Sequence, residues 1–348
     1  MRIIKIFIIS YIIIILFLLY NDFSFKKVEI KDKLSLSNEI FKIYTTLYDV
    51  VRSGYFRPRF IGAKNLKTIN TQNRKVCICS ICKNENLYIK EFIEYYLNIG
   101  IAKIVIYDNN DINGEIINEN IKTQYSKKVD IIDIRGMSSI QIPISNYCYK
   151  KNSNYYGWIG IVDVDEYLFI KNNEKVDSFL SNSRFTNCEL VLLNWIIYND
   201  NGLIKYDNRT LNERFNNPKV QLPRGKSFIR GGNNNLLIPS THIPGINAFH
   251  FCNSNGKKIY PKTFLDNDKE ISPLAYIKHF YTKTAEEFCK KLYRGDAHYP
   301  KNHPNYHKII KSKINLFFHY NELTKQKIKI LEKCTNLNLI YYRKLLKI

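Results

Sequence analysis

The chain has 348 residues, 45% of them hydrophobic and 24% charged, which suits a large buried core and excludes a disordered tail. Its formal charge of +22 suits anionic partners such as lipid headgroups or a nucleotide diphosphate. The lysines are scattered beside Asn, Ile and Tyr, with no basic run interleaved with glycines and aromatics, so no nucleic-acid partner is expected.

The first twenty residues stand apart. Arg2 and Lys5 precede an uncharged run from Ile6 to Tyr20, extended backward by Ile3 and Ile4. About twenty apolar residues cross a bilayer, so residues 1–20 are expected to form a single-pass membrane anchor with Lys5 snorkelling. Phe17-Leu18-Leu19-Tyr20 is bulky where a signal-peptide cleavage site needs small residues, which favours an uncleaved anchor. Arg2 and Lys5 on one side and Lys26, Lys27, Lys31 and Lys33 on the other leave the positive-inside rule nearly balanced. Residues 21–73 read as a stem or linker.

The core begins abruptly. Val76 to Cys82 is a nearly continuous apolar run, as expected of a strand buried on both faces. Leu87 to Asn98 carries apolar residues at helical spacing, and Gly100 follows where a left-handed cap belongs. Lys103 to Tyr107 is a second strand, ending in Asp108-Asn109-Asn110-Asp111, and Val129 to Ile134 a third. Ser139 to Lys151 reads as a helix whose start Pro143 draws toward itself. Trp158 to Val162 is a fourth strand, running directly into Asp163-Val164-Asp165-Glu166. This alternation predicts an α/β domain with a largely parallel sheet. In such sheets ligands bind beyond the carboxyl ends of the strands. Three polar clusters stand at such ends: Lys83 to Asn86, Asp108 to Asp111, and Asp163 to Glu166.

Leu190 to Tyr198 is a further apolar strand. The Gly/Asn/Pro-rich residues 216–255 read as binding loops or an acceptor-side lid. Glu286 to Tyr293 is a short helix, and the basic residues 308–348 are helical. The core domain is accordingly placed at residues 74–305 and a C-terminal helical extension at 306–348. Of the eight cysteines, Cys79 and Cys82 form a CxxC without a second CxxC or paired histidines, so zinc is not expected. The even count permits disulfides without demonstrating them.

Asp163 and Asp165 are two carboxylates one residue apart after a buried strand. On an ideal strand they share a face, and their convergence depends on how the chain turns there. Two hard oxygen ligands suit Mn2+ or Mg2+, which take further ligands from substrate phosphates and neutralise a departing diphosphate. A solvated acidic turn is the plain alternative; the buried strand before it and Glu166-Tyr167-Leu168 after it favour a site.

Several motifs resemble a known family. Lys83-Asn84-Glu85, then Tyr88-Ile89 and Glu91-Phe92 through Gly100, look like the opening of family 92 glycosyltransferases and their family 2-like relatives. Tyr107-Asp108-Asn109-Asn110 resembles their second strand end, and Trp158 through Leu168 their metal-binding segment. Trp195, Glu213-Arg214-Phe215, Lys226-Ser227 and Thr241-His242 follow in a similar order. Ile277-Lys278-His279-Phe280 with Thr282-Lys283, Glu287-Phe288, Lys291 and Arg294-Gly295 resembles the family's ending. The likeness covers about residues 75 to 300.

The resemblance implies a GT-A fold, Rossmann-like with helices flanking the sheet, a nucleotide-diphosphate sugar donor (a UDP-sugar first), a divalent metal, and a glycan or glycoconjugate acceptor. Galactose is its leading sugar. By position, Asp108 is expected near the nucleoside, and Asp163 and Asp165 near the ribose, diphosphate and metal. His279 is the candidate third metal ligand, with a core histidine as the plain alternative. Glu85 falls in the same donor-binding cluster, and Lys83 and Arg294 are candidates to reach the diphosphate. Inverting transfer needs a carboxylate to take the acceptor's proton; Glu213 is the first candidate and Asp200 the second.

Three other readings compete. A binding protein that has lost transfer conflicts with the intact Asp163, Asp165 and His279. A two-metal phosphoesterase would want clustered histidines, and the seven here are not clustered. A non-catalytic basic protein acting at a membrane surface or on nucleic acid leaves the strand-end clusters unexplained. A eukaryotic host implies a Golgi or ER lumenal domain, and a bacterial one an inner-membrane protein with a cytoplasmic domain. Asn208-Arg209-Thr210 is the single N-glycosylation sequon, and only a lumenal domain would carry a glycan there.

Overall fold

A computed structural model describes residues 74–117, 119–137, 140–233, 236, 238, 250–259, 272–294 and 305–347. The expected anchor, the stem and Thr241-His242 lie outside these. Among the described residues no helix is long and apolar enough to cross a membrane.

The first half contains β1 (Val76–Cys82), α1 (Asn86–Asn98), β2 (Lys103–Asp108), α2 (Glu119–Gln124), β3 (Val129–Asp133), α3 (Gln141–Asn152) and β4 (Trp158–Ile161). Its strands lie in the order β3-β2-β1-β4, all parallel. The two-residue period of β1 explains its unbroken apolar run. Val76, Ile78 and Cys82 join the core shared with Tyr88, Ile89, Phe92, Ile93 and Tyr96 of α1. Cys79 points the other way and is bonded to Cys148 of α3. Helices thus cover both faces. Pro143 sits in the first turn of α3, where its missing N–H has no helical partner to lose.

The second half departs from a parallel sheet. It comprises β5 (Glu166–Ile170), α4 (Val176–Leu180), β6 (Leu190–Tyr198), α5 (Leu211–Arg214), β7 (Pro218–Arg230), β8 (Phe251–Cys252), β9 (Lys258–Ile259) and β10 (Ala275–His279). The order continues β4-β7-β6-β10-β5. Here β7 runs antiparallel to both β4 and β6, β10 parallel to β6, and β5 antiparallel to β10. The fold is α/β, with the sheet parallel in one half and mixed in the other.

One expectation needs correction: the start of the Gly/Asn/Pro-rich stretch is a 13-residue strand, β7, and not a loop. A register shift between Asn194 and Trp195 on its partner breaks the alternation that a strand pattern relies on, and pairing on both sides overrides the turn-like composition.

The C-terminal region forms α6 (Ala285–Tyr293), α7 (Tyr306–Tyr320), α8 (Lys325–Thr335) and α9 (Ile340–Leu345). Phe288 and Leu292 of α6 share a second core with Ile314 and Phe317 of α7 and Ile328 and Leu331 of α8. Besides Cys79–Cys148, disulfides join Cys188 to Cys252 and Cys289 to Cys334, leaving Cys77 and Cys82 as buried free thiols. Cys79 is therefore not half of a zinc-binding CxxC.

Candidate active site at the strand ends

The topology gathers the polar clusters at one end of the sheet. β1, β2 and β4 are parallel, so Lys83, Asp108 and Asp163 leave their strands on the same side. In the second half, Glu166 pairs with His279 and His279 with Ile197, so β5 begins where β10 and β6 end. The Phe280 N–H donates to the Asp165 carbonyl at 2.9 Å, closing this end of the sheet.

The chain turns at Val164-Asp165, with the Glu166 N–H bonded to the Asp163 carbonyl at 3.1 Å and Val164 buried. The turn sends the two aspartates to different partners. Asp163 Oδ2 lies 2.9 Å from Lys226 Nζ on β7, and Asp165 Oδ2 lies 2.7 Å from Lys291 Nζ on α6. Lys226 is fully buried and is also 3.5 Å from Glu166 Oε2. It reaches this place because Gly225 lets β7 press against β6: a Cβ there would stand 1.8 Å from the Leu193 carbonyl oxygen.

Adjacent carboxyls are tuned in opposite directions. For Asp165, burial pushes upward, but Lys291 foremost among its charged neighbours outweighs it and holds the group well below the usual carboxylate range. For Glu166, burial pushes the carboxyl up to about 8 against the pull of Lys226. Its Oε1 is buried with no hydrogen-bond partner among the described residues.

His279 Nε2 lies 3.8 Å from Asp165 Oδ1. Burial lowers its pKa to about 3, so the imidazole is neutral with a lone pair to offer, and its buried Nδ1 has no hydrogen-bond partner among the described residues. Asp165 and His279 therefore fit a divalent ion that draws its other ligands from a diphosphate. Asp163 stands apart from them on Lys226, and among the described residues no three His, Cys, Asp or Glu side chains form a metal cage.

Lys83, Glu85 and Arg294 do come together. Arg294 Nη1 donates to the Lys83 carbonyl at 2.9 Å and to Glu85 Oε1 at 2.5 Å. Lys283 Nζ is 2.8 Å from Glu85 Oε2, while the Lys83 side chain reaches Asp111 at 2.9 Å. Asn84 turns the chain after β1 with φ 51°, and its N–H donates to Asn110 Oδ1 at 2.6 Å. Beside this knot lies a cleft of about 350 Å³ lined by Asn84, Glu85, Tyr88, Lys283, Lys290 and Lys291, among others.

The remaining candidates have partners of their own. Asp108 accepts the Asn110 and Ile117 N–H groups, each at 3.1 Å, and so shapes the loop after β2. Glu213 is exposed and closes a capping box with Thr210, whose hydrogen bonds lower its pKa. Asp200 is buried 2.7 Å from Lys327 of α8 and accepts the Gly202 N–H at 2.9 Å. Burial nonetheless raises its pKa. It lines a hollow of about 760 Å³ with Asn199, Asn201, Asn216, Asn217 and Glu322.

Sequence reasoning assigned no roles to Lys226, Lys283 and Lys291. In a chain with 53 Lys and Arg a single lysine carries little signal. The usable signals are local: Lys226 follows Gly225 in the apolar-flanked end of β7, and Lys291 follows Phe288 by three on the inner side of α6.

Carboxylates and cations thus gather at one end of an α/β sheet, beside a cleft. Residues 73–230 match the family model of glycosyltransferase family 92, the family that the motifs resemble. A family 92 protein of Oryza sativa subsp. japonica is 28% identical over 109 residues, covering 31% of this chain and 18% of the rice protein. One of Arabidopsis thaliana is 22% identical over 237 residues, covering 65% of this chain and 38% of its own. The chain thus spans well under half the length of these relatives. Among solved structures, S. aureus TarS 1–349 in complex with UDP-GlcNAc matches at 13% identity and TM-score 0.37, over 75% of this chain and 80% of that one. A Pyrobaculum calidifontis mannosyltransferase in complex with GDP-Man and Mn2+ matches at 11% identity and TM-score 0.24, over 45% of this chain and 47% of that one. Likenesses this distant do not bear on the chemistry.

Proposed function

We propose that the chain transfers a hexose from a nucleotide-diphosphate sugar to a hydroxyl of a glycan or glycoconjugate. The observation that carries this reading is the pairing of Asp165 with Lys291 and His279 at the sheet end, beside a cleft with four basic side chains at or next to it. Lys283, Lys290, Lys291 and Arg294 supply positive charge for a diphosphate, and Glu85 holds Lys283 and Arg294 in place. Asp165 and the neutral His279 would hold a divalent ion, Mn2+ or Mg2+, which when bound adds charge where the diphosphate leaves.

The acceptor is assigned to the hollow around Asp200. Its amides and carboxylates have the donors and acceptors that sugar hydroxyls require. Asp200 is the proposed base in preference to Glu213, because burial raises the one toward proton acceptance while Thr210 lowers the other. In an inverting transfer the hydroxyl gives its proton to Asp200 as its oxygen bonds the anomeric carbon. The carbon–oxygen bond to the diphosphate breaks and the nucleotide departs.

The test is a transfer and donor-hydrolysis assay on a panel of UDP- and GDP-sugars, UDP-galactose first, with Mn2+ and with EDTA. Turnover with one donor, lost in EDTA, is the expected result. Absence of turnover and of donor binding across the panel would refute the reading. Asp200→Asn paired with Glu213→Gln decides the base: loss of kcat in the first alone supports Asp200. The membrane anchor at residues 1–20 belongs to the same proposal, placing the enzyme where its acceptors are assembled.

A further inference from the structure

Six cysteines that stand far apart in the sequence meet in three pairs. Their separations are 69, 64 and 45 residues, and their Cα–Cα distances 6.3, 5.8 and 6.0 Å. These fall inside the roughly 4.4–6.8 Å window that a disulfide requires. The pairs fasten different layers: β1 to α3, the lead-in of β6 to β8, and α6 to α8. A fold with three such fasteners suits an oxidising compartment, because a reducing cytosol keeps thiols reduced.

A second observation bears on the same compartment. Asn208-Arg209-Thr210 lies in the loop between β6 and β7, and Asn208 is exposed. The loop is docked firmly, with the Glu286 N–H on the Ile204 carbonyl at 3.2 Å and the Tyr206 N–H on Glu286 Oε2 at 3.0 Å. Asn208 is thus held out on an anchored surface, with no proline in or just after the sequon to bar modification.

We propose that residues 74–347 fold in an oxidising lumen, with Cys79–Cys148, Cys188–Cys252 and Cys289–Cys334 formed, and that Asn208 carries an N-linked glycan. This inference does not rest on the donor chemistry proposed above. Each cysteine pair forms by exchange with an oxidant disulfide of protein or glutathione type, which is reduced to two thiols as the pair closes. At Asn208 the side-chain nitrogen bonds the first sugar of a lipid-diphosphate-linked oligosaccharide. The sugar's bond to the diphosphate breaks, and lipid diphosphate and a proton are released.

The test uses the full chain, with residues 1–73 in place, produced in a eukaryotic cell. Denatured protein is treated with a mass-tagged maleimide before and after reduction, and separately with an amidase that removes N-glycans. Two tags before reduction and eight after are expected, matching the two free thiols and the eight cysteines. The amidase should lower the mass by one glycan, and Asn208→Gln should abolish that change. Thr210→Ser, which keeps a sequon, should preserve it. Eight tags before reduction would overturn the compartment. Two tags without an amidase-sensitive change would overturn Asn208 as the modified residue.

Discussion

Asp108 and Asp165 look alike in the sequence, each closing or closely following a buried parallel strand, and their residues are 2% and 4% exposed. Their partners separate them. Asp108 is answered by two backbone N–H groups of its own loop, Asp165 by the side chains of Lys291 and His279 from other elements. A carboxylate bound to backbone builds the loop it serves, and losing it leaves buried donors unsatisfied. One bound to side chains can exchange its partners with an incoming ligand. The position at a strand end therefore does not define the role; the partner does. Glu213, committed to its capping box, falls with Asp108.

Three substitutions test that division. Asp165→Asn should lower turnover most, by roughly 10²–10³-fold, with the circular dichroism of a folded protein. Unchanged turnover would remove Asp165 from the chemical side of the comparison. Lys291→Met should cost roughly 10–100-fold, seen chiefly in KM for the donor and partly restored by Lys291→Arg, with the exposed Lys290→Met as the milder control. Asp108→Ala should do the reverse, costing about 1–3 kcal/mol of stability in urea titrations while activity per folded molecule stays within a few-fold. Full stability with lost activity in that variant would break the comparison.

The parallel half of the fold was legible because its strands are continuous apolar runs and its α1 carries a clear helical stripe. The mixed half was not, since β7 hides its period behind a bulge and pairs antiparallel with β4 as well as with β6. At the site, the carboxylates, His279, Lys83, Glu85 and Arg294 could be named as candidates, but not that Arg294 binds the Lys83 carbonyl and Glu85. What decides their roles could not. Whether Asp108 meets a peptide N–H or a lysine depends on the path of a loop, and the partners of Lys226 and Lys291 are set only when β7 and α6 pack against the aspartates.

The smallest expected effect is a change of slope, and it concerns the neighbour of Asp165. Burial pushes the Glu166 carboxyl from its ordinary 4.5 to about 8. Between those values the folded protein holds a proton that the unfolded chain has lost. The stability Glu166 contributes is therefore complete below about 4.5 and declines as pH rises through about 8. Asp165, lowered in the fold, has the opposite sign: its contribution is present above the ordinary value of 3.8 and declines as pH falls. Glu166→Gln keeps an oxygen to accept the Asp163 N–H, 2.9 Å away in the native protein, and cannot ionise. Unfolding free energies measured in EDTA between pH 4.5 and 8 should decline less steeply in this variant than in the native chain. Equal slopes would mean that Lys226 keeps Glu166 ionised, and that Glu166 is a charged partner of Lys226 like Asp163, not a neutral neighbour beside it.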